Sequence, residues 1–569
     1  MRLDLVIRNG TVIDGSGMAR YRADVGIKHG KIVDIGRIRD EAAEVIDAEG
    51  HIVAPGFVDG HTHMDAQVFW DPLGTCSCWH GITTVVMGNC GFTLAPGRES
   101  EKELVVRNLE RAEDISGAAM EAGIDWSWET YAEYLDTVEA LPKGINYSGY
   151  VGHSALRTYA MGERAFTELA NEDEMAAMRR ELRDAIRAGA MGFTTSRTPN
   201  HMTMDGRPVA SRVAPWEEVS DLVNTMGEMG AGIFEIAGEA TGRDPERQRE
   251  YLDRLRDLAV ESGRPITWGM FASRKAPDLW RGYFDLLDET AAAGGRMFAQ
   301  VHSRALNVLL SFKTQLPFDR LPVWSEIRAL PLKEQAAKFR DPVIREQLVA
   351  SAAGDGPDQA TGAEARRPDF DWLFVLNSMT EQNPTVAEVA RQREQEPVET
   401  MIDLGLESNF DQFFAQPIAN EDDDAVLEMM RHPRSAVTFS DSGAHVSQIM
   451  DSSLQTHVFS HWVRGQAALT LEEAVRMVTF EPASNWGIRN RGLLREGWAA
   501  DLCIFDPDKI APLMPEVATD LPAEATRLTQ KADGILATVV NGEVLLRNGD
   551  HTGALPGQLL RGPLAHRTG

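Results

Sequence analysis

Short runs of apolar and β-branched residues recur along the middle of the chain, separated by longer stretches with helical spacing. Ile82-Thr83-Thr84-Val85-Val86-Met87, Ile233-Phe234-Glu235-Ile236-Ala237, Met297-Phe298-Ala299-Gln300-Val301 and Ser435-Ala436-Val437 are examples. Runs of this length and composition read as strands. Thr470-Leu471-Glu472-Glu473 is a capping box that opens a helix carrying Ala474, Val475, Met477 and Val478 and stopping near Pro482. Strand followed by helix, repeated, predicts a parallel sheet closed into a (β/α)8 TIM-like barrel. The two ends read differently. Residues 5–15 and 24–36 look like hairpins turning at Asn9-Gly10 and His29-Gly30, and residues 501–506 and 537–546 echo them. These segments can pair into one small β-sandwich. The predicted organisation is therefore α/β: sandwich strands in 1–56, a barrel in 57–489, and the rest of the sandwich in 490–569. From about 306 to 367 the rhythm breaks. This stretch is rich in Pro, Trp and charge, has an amphipathic part around 333–348, and ends in the exposed loop Gly354-Asp355-Gly356-Pro357. It reads as an insertion, either a lid over the barrel mouth or a peripheral contact element.

The ends of the apolar runs hold the chemistry. Gly56-Phe57-Val58-Asp59-Gly60-His61-Thr62-His63 delivers two histidines one residue apart. Side chains at i and i+2 of a strand share a face, so both imidazoles can grip one metal ion. A divalent ion held that way lowers the pKa of water toward neutrality. The competing reading is a pair of buried strand histidines. The run ending in Gly88-Asn89-Cys90-Gly91 presents a thiol from a turn, as a ligand or as an inert buried cysteine. A third run ends in Ser440-Asp441-Ser442-Gly443, where Asp441 is either a metal ligand that moves a proton or an Asx-turn residue.

Taken in order, these motifs resemble the amidohydrolase superfamily, in its branch of N-acyl-D-amino-acid deacylases (D-aminoacylases). The resemblance extends through Gly152-His153, Ala190-Met191-Gly192-Phe193-Thr194-Thr195-Ser196-Arg197, Ala444-His445 and the tail Gly497-Trp498-Ala499-Ala500-Asp501-Leu502, and so covers nearly the full length. It implies a metal-dependent hydrolase barrel. His61, His63 and Cys90 would be ligands, and Asp441 a ligand and the general acid/base. The cofactor implied is Zn2+, one or two divalent ions, with a mononuclear site favoured. The departure is in the middle strands. The family supplies two further histidines there, and neither 231–237 nor 265–270 contains one. Glu235 or Gln300 are the oxygen donors available instead. The reaction implied is hydrolysis of a linear amide, an N-acyl-D-amino acid first. A cyclic amide of the hydantoinase or imidase type, an arylamide, or a non-catalytic barrel are the alternatives.

Other residues are weighed alongside. His153, after a strand end, is placed by the resemblance at the mouth, where it would polarise a carbonyl, or else it caps a helix. Arg197 and Arg304 are candidates for a substrate carboxylate, which a guanidinium binds bidentately, with His302 beside the second. His457 and His461 are spaced like a zinc-binding helix pair, but Val458 follows where the glutamate of that motif belongs, so they read as a helix face. Glu421 to Asp424 favour the positive end of a helix.

Composition narrows the partners. With 57 Lys and Arg against 86 Asp and Glu, the 569-residue chain carries a net charge of −29. That argues against nucleic acid and gives no reason to expect an anionic membrane surface. The expected partner is a small-molecule amide, with homo-oligomerisation left open. Four cysteines, no signal-peptide core at the start and no run of about 18 apolar residues point to a cytoplasmic enzyme without a transmembrane helix.

Overall fold

The computed structural model describes residues 2–242, 244–353 and 367–565; the loop expected at 354–357 lies outside them. Eight parallel strand segments follow one another in chain order: β1 (Phe57–Asp59), β2 (Ile82–Met87), β3 (Asn146–Gly149, resuming as Val151–Gly152), β4 (Gly192–Ser196), β5 (Ile233–Ala237), β6 (Ile266–Met270), β7 (Met297–Val301) and β8 (Ser435–Val437). Each pairs with its neighbours. Residues just beyond β8 return to those beyond β1. Thr62 bridges Ser442, the His63 amide donates to the Ser442 carbonyl at 2.8 Å, and the Asp441 amide donates to the His61 carbonyl at 3.2 Å. The order is cyclic, as in a (β/α)8 barrel. β2 and β7 are buried along their whole length, as strands covered by helices on one side and by a packed interior on the other must be.

Helices occupy most of the connections. Glu172–Ala188 begins with a capping box at Asn171, and Pro245–Ser262 begins with Asp244 accepting from two amides. The link from β2 to β3 is a long excursion containing Lys102–Leu109, Gly117–Gly123 and Tyr131–Ala140.

Strands from both ends of the chain meet in a seven-stranded sheet, where Ile52–Pro55 pairs antiparallel with Leu502–Phe505. A four-stranded sheet made of Leu3–Arg8, Asp24–Lys28, Lys31–Gly36 and Ala42–Asp47 packs against it through Leu5, Ile7, Val53, Leu502 and Ile504. The His29-Gly30 turn joins a true hairpin, Lys28 opposite Lys31. Asn9-Gly10 does not. Leu3–Arg8 and Thr11–Val12 lie in different sheets, and a Cβ on Gly10 would sit 2.4 Å from Val53.

The segment after β7 is longer than the expected insertion. It holds an antiparallel sheet of Leu306–Leu310, Phe374–Leu376 and Phe413–Ala419 with several helices. The amphipathic stretch is two helices, Leu332–Arg340 and Pro342–Ala352, the second with proline at its first position behind an Asp341 cap that accepts from two amides. This unit has its own core around Phe312, Trp324, Phe339 and Phe414. It emerges at the C-terminal end of β7 and touches the loop after β8, where the Leu309 amide donates to the Gln448 carbonyl. No helix among the described residues is long and apolar enough to cross a membrane.

Candidate metal centre at the carboxyl ends of the strands

His61 and His63 leave β1 on one face, and both are buried. Gly60 lets the strand end pass close to β8: its amide donates to Thr438 Oγ1 at 2.6 Å, and a Cβ there would meet Trp486 at 2.3 Å. His61 Nδ1 lies 2.6 Å from Gln300 Oε1, and Gln300 Nε2 donates to Thr267 Oγ1 at 3.2 Å. An amide oxygen accepts only, so Nδ1 carries the proton and the Nε2 lone pair faces the centre. This is how an outer hydrogen bond fixes a ligand's tautomer.

Cys90 reaches the same point from β2. The Gly88-Asn89-Cys90-Gly91 turn runs through left-handed backbone at Gly88, Cys90 and Gly91, and Gly91 passes so close to Thr195 that a Cβ would lie 3.0 Å from its backbone. Asp65, Thr194 and Asn89 pin the turn by hydrogen bonds to Gly88, Gly91 and the carbonyls of Thr62 and Val86. Cys90 Sγ stands 3.6 Å from His61 Nε2. Among the described residues, His61, His63 and Cys90 form the group of three whose donor atoms all lie within 4.8 Å of one another. Asp441 closes it from beyond β8, with Oδ1 3.4 Å from His61 Nε2 and 3.2 Å from His63 Nε2.

The middle strands contribute a carboxylate where the resemblance implied histidine. Glu235 on β5 accepts from the Cys90 amide at 2.7 Å, and its other oxygen lies 4.0 Å from the thiol. Its carboxyl is pushed up to about 7, chiefly by burial. Burial also pushes the Cys90 thiol up and His63 down. For Asp441, burial raises the carboxyl, but the two imidazoles overrule it and hold it well below the usual range. Two imidazoles, a buried thiol and carboxylates converging on one point, with both ring nitrogens of His63 unpartnered, suit a borderline-soft divalent cation such as zinc.

Three residues that sequence reasoning left unassigned also come to this place. Glu113 lies in the β2–β3 excursion, with Oε2 3.5 Å from His63 Nε2. His445 has Nε2 3.8 Å from Asp441 Oδ2. His201 packs at a tilt against Phe92, centroids 5.1 Å apart, with Nδ1 2.8 Å from Ser196 Oγ; burial drops its pKa to about 3.

The other expected residues are not gathered there. His153 begins a helix, and both ring nitrogens are taken, by Thr195 Oγ1 at 2.8 Å and Glu218 Oε1 at 2.9 Å. No nitrogen is left for a substrate carbonyl, which corrects the role expected for it. Arg304 donates to the Met450 carbonyl and to Asp451, and His302 lies against the Arg304 carbonyl and Asp451. They tie the loop after β8 to β7 instead of facing outward. Arg197 is held by Glu239 and the Ala214 carbonyl. His457 and His461 stack on one another, and His461 pairs with Asp423, as a helix face would.

The family model described as "Amidohydrolase family" matches residues 44–546. An uncharacterized protein of Mycobacterium bovis is 27% identical, covering 97% of this chain and 93% of its own. The N-acyl-D-aspartate deacylase of Alcaligenes xylosoxydans xylosoxydans is 28% identical, covering 98% and 95%. In fold, the chain is similar to the N-acyl-D-glutamate deacylase of Bordetella bronchiseptica, solved with zinc and a phosphonate mimic of the tetrahedral intermediate: TM-score 0.66, 24% identity, 99% of this chain and 100% of that one.

Proposed function

We infer the reaction from one premise: this chain belongs to the amidohydrolase family. The reading is metal-dependent hydrolysis of a linear amide, with an N-acyl-D-amino acid giving a carboxylate and a D-amino acid. One observation carries it, the convergence of His61, His63, Cys90 and Asp441 from three strands far apart in sequence. The full-length likeness to an N-acyl-D-aspartate deacylase supports the substrate class.

His61, His63 and Cys90 would hold one divalent ion, zinc in the first instance, with Asp441 beside it. When bound, that ion supplies Lewis acidity, polarising an acyl carbonyl and acidifying water. The chain's own residues do the rest. Asp441, ionised across the neutral range, takes the proton of the attacking water on Oδ1 and returns it to the departing nitrogen. Gln300 keeps His61 in the tautomer that leaves Nε2 free. The Cys90 amide and Glu235 hold the thiol in place.

A substrate of this class carries a carboxylate, and Arg212 supports that part of the reading. Its guanidinium is half-buried, donates to the His201 carbonyl at 2.9 Å, and has no carboxylate partner among the described residues. His201, Phe92 and His63 link it to the centre, Phe92 and His63 having ring centroids 6.5 Å apart.

The test uses purified full-length protein, stripped of metal and reloaded with zinc, against paired N-acyl-D and N-acyl-L amino acids with detection of the released amine. Zinc-dependent release from the D series, abolished in Asp441→Ala, is the expected result. Equal turnover by Asp441→Ala, or amine release that ignores zinc, would overturn the reading.

A further inference from the structure

Two aromatic rings beside the centre belong to none of the apolar cores among the described residues. Phe439 and Phe271 are both only half-buried, and neither packs into a hydrophobic cluster. Phe439 stacks on the His61 imidazole, centroids 3.8 Å apart, and Phe271 meets Phe439 edge-on at 5.0 Å. The backbone makes room for this arrangement. Phe439 lies on left-handed backbone, φ 85°, and a Cβ on Gly269 of β6 would sit 2.3 Å from the Phe439 ring. Two large apolar side chains left partly in water forgo the stabilisation of full burial. Held side by side against a metal-site histidine, they form an apolar wall that a ligand in the centre would cover.

The wall is fixed from behind. Ala272, next to Phe271, exchanges two hydrogen bonds with Asn420: its amide donates to Asn420 Oδ1 and its carbonyl accepts from the Asn420 amide, both at 2.8 Å. Two residues on, the Arg274 guanidinium lies over the Trp372 ring at 4.7 Å and pairs with Asp369. Asn420, Trp372 and Asp369 all belong to the segment between β7 and β8, so the inserted unit holds the loop that presents Phe271.

From this we propose that Phe439 and Phe271 are the subsite for the acyl group, and that the acyl group taken is bulky and apolar, aromatic or branched, in preference to formyl or acetyl. The proposal rests on the reading of the chain as a deacylase of N-acyl-D-amino acids. Direction decides which part of the substrate meets the wall. Arg212 is linked to the centre through His201, Phe92 and His63, whereas the aromatic pair stands on His61. A trans amide is planar, and its acyl carbon and amino-acid Cα leave it in opposite directions. With the carbonyl at the centre and the carboxylate on Arg212, the acyl chain runs toward Phe439 and Phe271. The face of one ring and the edge of the other suit an aryl group in particular.

The test has a binding arm and a turnover arm, both on zinc-loaded, full-length protein. Calorimetry compares phenylacetate with acetate, the acids that the two substrates would release. Turnover compares the N-phenylacetyl and N-acetyl forms of one D-amino acid. Phenylacetate is expected to bind about tenfold more tightly than acetate, and kcat/KM to favour the phenylacetyl substrate by about as much, mainly through KM. Phe271→Ala should shrink both preferences to about threefold or less, and Phe271→Tyr, which keeps the ring, should retain them. Amine release from both substrates without these preferences, or preferences that survive in Phe271→Ala or vanish in Phe271→Tyr, would overturn the acyl subsite alone. No amine release from either substrate would overturn the deacylase reading, and the subsite with it.

Discussion

Cys90 and Asp441 both sit on left-handed backbone, φ 54° and 56°, where non-glycine residues are uncommon. Each turn aims a donor atom at the space between the histidines, so the strain is local and the geometry is fixed before any ligand arrives. Removing the donor should therefore cost function without much change of fold. Cys90→Ser keeps the turn but replaces a soft donor with a weak one. Its zinc affinity, measured by competition with a chelator, should fall by about tenfold or more, with the circular dichroism spectrum unchanged; unaltered affinity would remove the thiol from the ligand set. Arg212→Ala should raise KM for an N-acyl-D-amino acid by about 10–100-fold, the equivalent of one charge-assisted hydrogen bond, and lower kcat much less. A fall confined to kcat would place the substrate carboxylate elsewhere. Legibility at this scale followed a simple rule. His61 and His63 were visible because a strand has a two-residue period, and Asp441 because it ends an apolar run. Glu113 follows no strand and repeats with nothing. It becomes a site residue only through a hydrogen bond to His445, more than 300 positions away.

Helices His153–Met161 and Trp216–Met229 are locked together behind β4 by a charged trio. Arg157 donates to both oxygens of Glu218 at 2.5 and 2.6 Å, and His153 adds a third bond. Burial raises the Glu218 carboxyl, but the His153 hydrogen bond and the Arg157 charge outweigh it and bring it to about 2. A carboxyl held below its unfolded value stabilises the fold fully above about pH 4.5 and loses that contribution as pH falls toward 2. The amount is on the order of 3 kcal/mol. Glu218→Gln has nothing to protonate, so its melting temperature should start lower at pH 7 and fall less between pH 4.5 and 2 than that of wild type. Parallel acid limbs in thermal scans would show that the trio adds nothing. This lock also explains why, of the two roles open to His153 from sequence, the start of a helix fits and a group facing a substrate carbonyl does not. A histidine after a strand end does lie at the barrel's carboxyl side, but the helix starts on that residue and turns the ring toward Glu218, and nothing near position 153 announces a partner 65 residues on. Turns show the same limit. His29-Gly30 joins two strands of one sheet and was readable from local chemistry. Asn9-Gly10 has the same local chemistry but carries the chain between sheets, which only the packing against Val53 decides.

The molecule as a whole holds several cores. Residues of the barrel and its helices share one large cluster, whereas Phe312, Trp324, Phe339, Val375, Met401 and Phe414 of the unit after β7 form another. That unit meets the rest through a smaller patch that includes Leu309, Phe413, Met450 and Leu528. Composition betrayed its presence near 306 as a break in rhythm, but not its far end, because strands such as Phe413–Ala419 look like barrel strands when read alone. Two cores joined by a small patch should not open together. Cooperative sub-global unfolding follows the boundaries of such clusters. In native-state hydrogen exchange under increasing urea, amides of Leu306–Leu310 and Phe413–Ala419 should therefore exchange through one shared opening, with a free energy and urea dependence smaller than those of β2 and β7. The interface patch contains Met450, on the loop that follows Asp441, so this opening should loosen that loop as well, and zinc loading should shift both to higher free energy by the same amount. If the two segments exchange only along with β2, at the same free energy and the same urea dependence, the unit has no independent stability and is part of the barrel's cooperative fold.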